Sequence, residues 1–471
     1  MVFSSVDFLF LYLPLFLLAQ NFIPNKNIVY ALASLLFYFI GEGWYTAVVI
    51  LSVTMNYAFG LLIERSKTPE GRKWTLAISL ATNLGLLFFF KYFGFLVTDV
   101  LGIKGGVWVD QIHLPLGISF FTFHAISYLI DVYRGDAKAE RSFVNLSLYI
   151  LMFPQLIAGP ILRFHTIARQ LTRRVVRARH VYYGTLLFCF GLGQKVLIAD
   201  TLAGVADSLF SRTDILSTVE AWTAALCYTL QIFFDFSGYS NMAIGLGWLT
   251  GFYFPKNFNY PYVSRSITEF WRRWHMSLSR WFKDYLYIPM GGNRNGSFAT
   301  YRNLLVVFLL CGLWHGAAWT FLAWGAYHGA LLVVERAGLG RTLVRTPVVI
   351  QHLYALLAIV VGWVLFRANS MSQAKDVITS MFVPTGHMTT NLAGIMRPEE
   401  MVAFVLGVLF SSPFLITILN KYVPLPIVGQ WRRKKSIHAC CAGVLLALIV
   451  FFLSAAKIIP GSYSPFIYFR F

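Results

Sequence analysis

The chain has 471 residues, 57% of them hydrophobic, 17% aromatic and only 13% charged, with a mean hydropathy of +0.63. A soluble domain carries about 25% charged residues, so this composition excludes one and points to an all-α polytopic membrane protein, a single domain over residues 1–471. Its 39 Lys and Arg against 20 Asp and Glu leave +19, which in a membrane chain reads as basic loops that orient the spans and meet anionic lipid, not as a nucleic-acid surface.

In chain order, apolar runs predict spans at 7–23, 28–41, 45–63, 74–99, 114–132, 181–199, 218–237, 302–316, 319–334, 347–366, 402–420 and 437–456, about twelve transmembrane helices. No cleavable leader is evident, because the first Lys or Arg is Lys26, beyond the first apolar run. The connections Glu64–Lys73, Arg134–Arg141, Arg163–Arg179, Lys256–Arg294, Arg336–Arg345 and Lys421–Lys435 are basic. The N-terminus, Gly41–Gly43, Asp200–Ser217 and Arg367–Met401 are poor in basic residues. This pattern puts every basic connection on one side, the cytoplasmic one by the positive-inside rule, and both termini outside.

Two segments do not read as plain spans. Phe143–Ile161 contains Pro154, Gln155, Gly159 and Pro160, and Tyr239–Phe254 is rich in glycine. The charge pattern puts both flanks of each on the cytoplasmic side, so both are expected as re-entrant or cytoplasm-facing hairpins beside a cavity, with a proline-kinked ordinary span as the alternative. The five cysteines have no metal spacing and read as small apolar residues.

Three stretches carry chemistry. In FWRRWHMSLSRWFKDYLYIPMGGNRNG, Phe270–Gly296, a helical wheel puts Trp271, Trp274, His275, Leu278, Trp281, Phe282 and Tyr285 on one side, an arc of roughly 120°. Arg272, Arg273, Arg280, Lys283 and Asp284 lie opposite. This predicts an amphipathic interfacial helix whose cations meet head groups or the phosphates of a nucleotide-bearing donor. In LLVVFLLCGLWHGAAWTFLAWGAYHG, Leu304–Gly329, His315 follows Trp314 inside an apolar run. An ionisable residue there is a functional candidate, with a histidine hydrogen-bonded between helices as the alternative; His328, nearer the cytoplasmic end, reads as structural. In QIFFDFSGYSNMAIGLGW, Gln231–Trp248, Asp235 either caps the next helix, orients a histidine or pairs with an arginine.

Together these motifs resemble the membrane-bound O-acyltransferase family, in its bacterial alginate O-acetylation branch. MVFSS at the start, LPLGISFFTFHAISYLIDVYRG, FPQLIAGPILR, DFSGYSNMAIG and GWVLFRA extend the resemblance in order over nearly the whole chain. Asn241 stands after DFSGYS where that branch usually carries Asp.

The resemblance implies a fold with a central tunnel, in a bacterial inner membrane. It implies an acetyl group taken from cytoplasmic acetyl-coenzyme A and passed toward a hydroxyl of an extracytoplasmic polysaccharide. A periplasmic SGNH-type acetyltransferase is the implied partner. His315 matches the family's near-invariant histidine and His275 its second, branch-dependent position. Arg272, Arg273 and Trp274 are the expected donor-binding residues, Asp235 and Trp314 the supporting ones, and no metal is expected. Two alternatives stand beside this reading: D-alanyl transfer from a carrier protein to teichoic acid, and a proton-coupled transporter, which the lack of a visible internal repeat disfavours.

Overall fold

A computed structural model describes residues 2–103, 109, 112–384, 392–422 and 437–461. Most of the basic connection Lys421–Lys435 therefore lies outside the described residues. Among those described, the regular structure is helical throughout, with no strand. Six helices are long and apolar enough to cross a membrane, or seven if the bent pair Pro398–Phe410 and Pro413–Leu419 counts as one.

The expected spans fall on helices, but several do not form a separate long span. Segments 28–41 and 45–63 share one apolar stretch, Lys26–Arg65, interrupted by a tight turn at Gly43–Tyr45. Segments 114–132 and 319–334 become Ile118–Arg134, of 17 residues, and Trp319–Val334, of 16. A helix buried by its neighbours is apolar all round, so hydropathy does not separate it from a span.

The chain divides into two compact units: Met1–Thr185 with Met242–Pro255, and Leu186–Asn241 with Lys256–Phe471. In the first unit, helices Thr46–Arg65 and Pro69–Leu87 are joined by a reciprocal amide pair. Asn56 Nδ2 donates to Asn83 Oδ1 at 3.0 Å, and Asn83 Nδ2 donates back at 2.9 Å. Each amide thereby satisfies the other away from water, which polar groups between apolar helices require.

Phe143–Ile161 is irregular, as expected: a helix to Leu151, a single turn Phe153–Leu156, then extended backbone. Several of its polar groups are met by protein. Gln155 Nε2 donates to the Tyr149 carbonyl, and the Tyr149 hydroxyl donates to the Leu162 carbonyl at 2.8 Å. Irregular buried backbone survives only on such terms.

Tyr239–Phe254 is corrected. It is no hairpin, because the helix Thr218–Leu249 runs on through most of it. The glycines that suggested a turn serve close packing instead: a Cβ on Gly184 would stand 2.8 Å from the Gly245 carbonyl oxygen, and one on Gly247 would stand 3.1 Å from that of Phe252. Only at Gly251, with φ +84°, does the backbone need glycine's freedom.

In the second unit, Gly296–His315 and Trp319–Val334 form a helical hairpin. Their backbones approach so closely that a Cβ on Gly312 would lie 2.2 Å from the Phe321 carbonyl oxygen, and one on Gly325 would lie 2.4 Å from that of Phe308. Small residues at a helix crossing permit this. Val348–Arg367 packs on the hairpin, and Gly362 leaves room for His328, whose Nε2 would stand 2.7 Å from an added Cβ.

Candidate active site in the second unit

The amphipathic stretch is two helices, not one. Ile267–Arg273 ends and Met276–Phe282 begins at a break where His275 takes φ +40° and ψ +53°. This left-handed conformation costs a non-glycine residue of order 1–2 kcal/mol and persists only when its surroundings hold it. The hold comes from a segment some way back in the chain. The Asn257 carbonyl accepts the Met276 N–H at 2.9 Å, and its side-chain oxygen accepts the Ser277 N–H at 3.1 Å. Those are the first orphan donors of the second helix, so Asn257 caps that helix from outside and starts it afresh after the break.

The expected inner face survives the break. Trp271, Trp274, His275, Leu278, Trp281, Phe282 and Tyr285 are all buried, while Arg272 and Lys283 are exposed. His275 is fully buried, with its ring centre 4.6 Å from that of Phe236 and 6.1 Å from that of Trp314. Burial pushes its imidazole down to about 3, so the ring is neutral at ordinary pH.

His315 ends its helix, 3% exposed, at the turn before Gly316. Its ring lies 4.9 Å from Trp314, 5.1 Å from Trp324 and 5.1 Å from Phe366, centre to centre. Trp314 thus stands against both histidines and links them in one aromatic cluster. His328 packs on Trp271 at 5.2 Å and Trp324 at 5.1 Å, deeper in the same helical hairpin.

The three expected donor-binding residues part company. Trp274, 1% exposed, is packed between Phe258, Phe270 and Trp363, with ring centres 5.0, 5.6 and 4.7 Å away. Arg273 donates to Glu269 Oε1 from Nε at 2.9 Å and from Nη2 at 2.8 Å. Its Nη1 donates to the Asn259 carbonyl at 3.1 Å. Arg272 lines a cleft of about 280 Å³ together with Lys283 and Arg336, and Trp271, Phe308 and Cys311 form part of its apolar wall. That cleft combines cations with apolar surface, the pairing that a phosphate-bearing thioester needs.

Asp235 lies inside the helix Thr218–Leu249 rather than at a cap, and the cation it meets is Lys195, at 3.0 Å. Lys195 also meets Asp200 at 2.5 Å and is itself 2% exposed. It sits where the helix Ala178–Gly193 widens into the π-helical turn Gln194–Ala199. Beside it, Asn241 Nδ2 donates to Gln194 Oε1 at 2.8 Å. Phe236, the neighbour of Asp235, carries this helix to His275. Among the described residues no three His, Cys, Asp or Glu side chains gather as a metal site.

Sequence reading missed Lys195, Asp200 and Asn257. The first two had a signal, since an ionisable residue at the edge of an apolar run needs a partner. Asn257 had none, because its role is to reach a helix that follows much later.

Comparison with known proteins identifies the family. Residues 136–371 match the model of MBOAT, the membrane-bound O-acyltransferase family. The chain is 39% identical to the "Probable alginate O-acetylase AlgI" of Azotobacter vinelandii over the full length of both. It is 34% identical to the "Peptidoglycan O-acetyltransferase" of Helicobacter pylori, over 100% of this chain and 98% of that one. It is 29% identical to the "Teichoic acid D-alanyltransferase" of Bacillus subtilis, over 46% of this chain and 58% of that one. On the family model and the full-length identity together, this chain belongs to the membrane-bound O-acyltransferase family.

Proposed function

We propose that the protein takes an acetyl group from acetyl-coenzyme A on the cytoplasmic side of a bacterial inner membrane. It passes the group through a tunnel toward a hydroxyl of an extracytoplasmic polysaccharide. A periplasmic acetyltransferase of the SGNH type receives the group or completes the transfer, and both termini face that side. Support for acetyl as the cargo comes from the alginate and peptidoglycan O-acetylating relatives, which cover the whole chain.

The observation that carries the reading is the buried aromatic cluster in which Trp314 touches both His275 and His315. Acyl transfer needs a base for the attacking hydroxyl in a place from which bulk water is kept out. His315 serves as that base. The hydroxyl proton passes to the imidazole as the new C–O bond forms, and from there to the departing thiolate as the C–S bond breaks. Such help is worth about 10² to 10⁴ in rate. The phosphates of the donor lie at Arg272, Lys283 and Arg336, and its acyl arm follows the apolar wall of the same cleft. Arg273, neutralised by Glu269, and Trp274, buried, support that site from behind.

The test is turnover of radiolabelled acetyl-coenzyme A by the protein in nanodiscs, with and without its periplasmic partner. The wild type should release label, and His315→Ala should lose at least 10²-fold while inserting normally. Equal turnover in the two proteins would remove His315 from the chemistry. A second reading, D-alanyl transfer from a carrier protein, is favoured by the partial match to the teichoic acid enzyme. Transfer from D-alanyl carrier protein but not from acetyl-coenzyme A would select it.

A further inference from the structure

Asn257 fixes what His275 can offer a ligand. Its Oδ1 accepts the Ser277 backbone N–H at 3.1 Å and the Ser277 hydroxyl at 2.9 Å. A backbone N–H only donates, so the atom facing it is the amide oxygen, and this sets the orientation of the Asn257 side chain. The same oxygen lies 3.2 Å from His275 Nδ1. An amide oxygen has no proton to give, so Nδ1 carries the hydrogen. The neutral ring then presents a bare lone pair at Nε2. That nitrogen is buried and has no hydrogen-bond partner among the described residues.

A buried acceptor left unmet is unfavourable, and an apolar ring would fill the same space without that cost. The backbone at His275 is also held in a left-handed conformation by the same Asn257. A strained residue, a fixed tautomer and an unmet acceptor at one position point to a ligand. We propose that Asn257 is a positioning residue that holds His275 as the Nδ1–H tautomer, so that Nε2 accepts a hydrogen bond from a proton-bearing group of the bound substrates. This rests on the acyl-transfer reading above. Two groups share the required chemistry: the hydroxyl that is acylated and an amide N–H on the pantetheine arm of the donor. In this tautomer His275 accepts from the substrates and does not donate to a developing oxyanion.

The experiment is nitrogen NMR of the full chain, labelled at histidine and held in nanodiscs, with the His275 signals assigned by their loss in His275→Gln. At neutral pH the wild type should show Nδ1 protonated and Nε2 bare. Asn257→Asp keeps the acceptor and adds a charge, so the tautomer should persist and the ring should protonate at a higher pH than in the wild type. Asn257→Ala should mix the two tautomers. A proton on Nε2 in the wild type, or an unmixed tautomer in folded Asn257→Ala, overturns the assignment. Should Asn257→Ala fail to fold, the wild type and Asn257→Asp still decide it.

Activity then reads the role. A protonated ring cannot accept, so the acid limb of acetyl-coenzyme A turnover should move to higher pH in Asn257→Asp, and an unmoved limb would make the residue merely structural. Coenzyme A and a short uronate oligomer are added separately. A shift at Nε2 with the first assigns the pantetheine amide and with the second the hydroxyl, while a shift with neither removes the ligand role. If the tautomer holds but the wild type consumes no acetyl-coenzyme A, the donor reading fails and the tautomer assignment stands.

Discussion

Two regions of the second unit bury polar side chains, by different means. Around His275 and His315 the polar groups are imidazoles and an amide, set among tryptophan and phenylalanine rings. Around Lys195 they are a cation and two carboxylates, at 2.5 and 3.0 Å. A neutral imidazole enters a low-dielectric site at the cost of its hydrogen bonds alone, and one partner offsets most of that. A lysine enters only with counter-charge at contact distance, and its carboxylates then depend on it in turn. The imidazole region can therefore leave one nitrogen open for a ligand. The ionic region needs all of its charges in place.

The largest expected effect tests that dependence. Lys195→Met leaves Asp200 and Asp235 facing each other without the cation between them, and should cost about 3–5 kcal/mol. Thermal unfolding of the purified protein should show a large fall in midpoint. Adding Asp235→Asn to Lys195→Met should recover part of it, because one stranded charge is removed. A single variant with wild-type stability would mean that the three groups do not form an electrostatic unit. His275→Phe should cost less, no more than about 1.5 kcal/mol, since it forfeits one neutral hydrogen bond, removes the unmet Nε2 acceptor and keeps the ring packing on Phe236. A loss as large as that of Lys195→Met would erase the contrast between the regions.

Much of this was legible in the residues, and the reasons are specific. His315 stood out because an apolar run of its length holds almost nothing else that can ionise. The inner arc from Trp271 to Tyr285 could be drawn on a wheel, and every member of it is buried. The break within that arc could not, because it is imposed by Asn257 through contacts that local propensity does not contain. The glycines of Tyr239–Phe254 misled for a related reason: glycine marks both turns and close helix crossings, and only the neighbour tells them apart. For Asp235 the sequence leaves a helix cap, a histidine and an arginine open, and its cation is none of these but a lysine on another apolar run.

Arg273 and Glu269 give the comparison a third, weaker member. They pair across one helical turn with side chains 28% and 32% exposed. Burial works to raise the Glu269 carboxyl, but the Arg265 N–H and the Arg273 guanidinium outweigh it and leave the group below its ordinary value. A carboxyl lowered on folding contributes stability above its unfolded value, about 4.3, and loses it as pH falls through the folded value. With water screening a third of the pair, the contribution is at most about 1 kcal/mol. Glu269→Gln should thus lower the unfolding midpoint slightly at neutral pH. The gap from wild type should narrow as the solution is acidified below the ordinary carboxyl range, where wild-type Glu269 takes up its own proton. High salt should shrink the gap at neutral pH and leave the Lys195→Met deficit largely unchanged, because screening reaches exposed charges far better than buried ones. If salt rescued both variants equally, the Lys195 cluster would be hydrated, and the distinction between the two buried regions would fall with it.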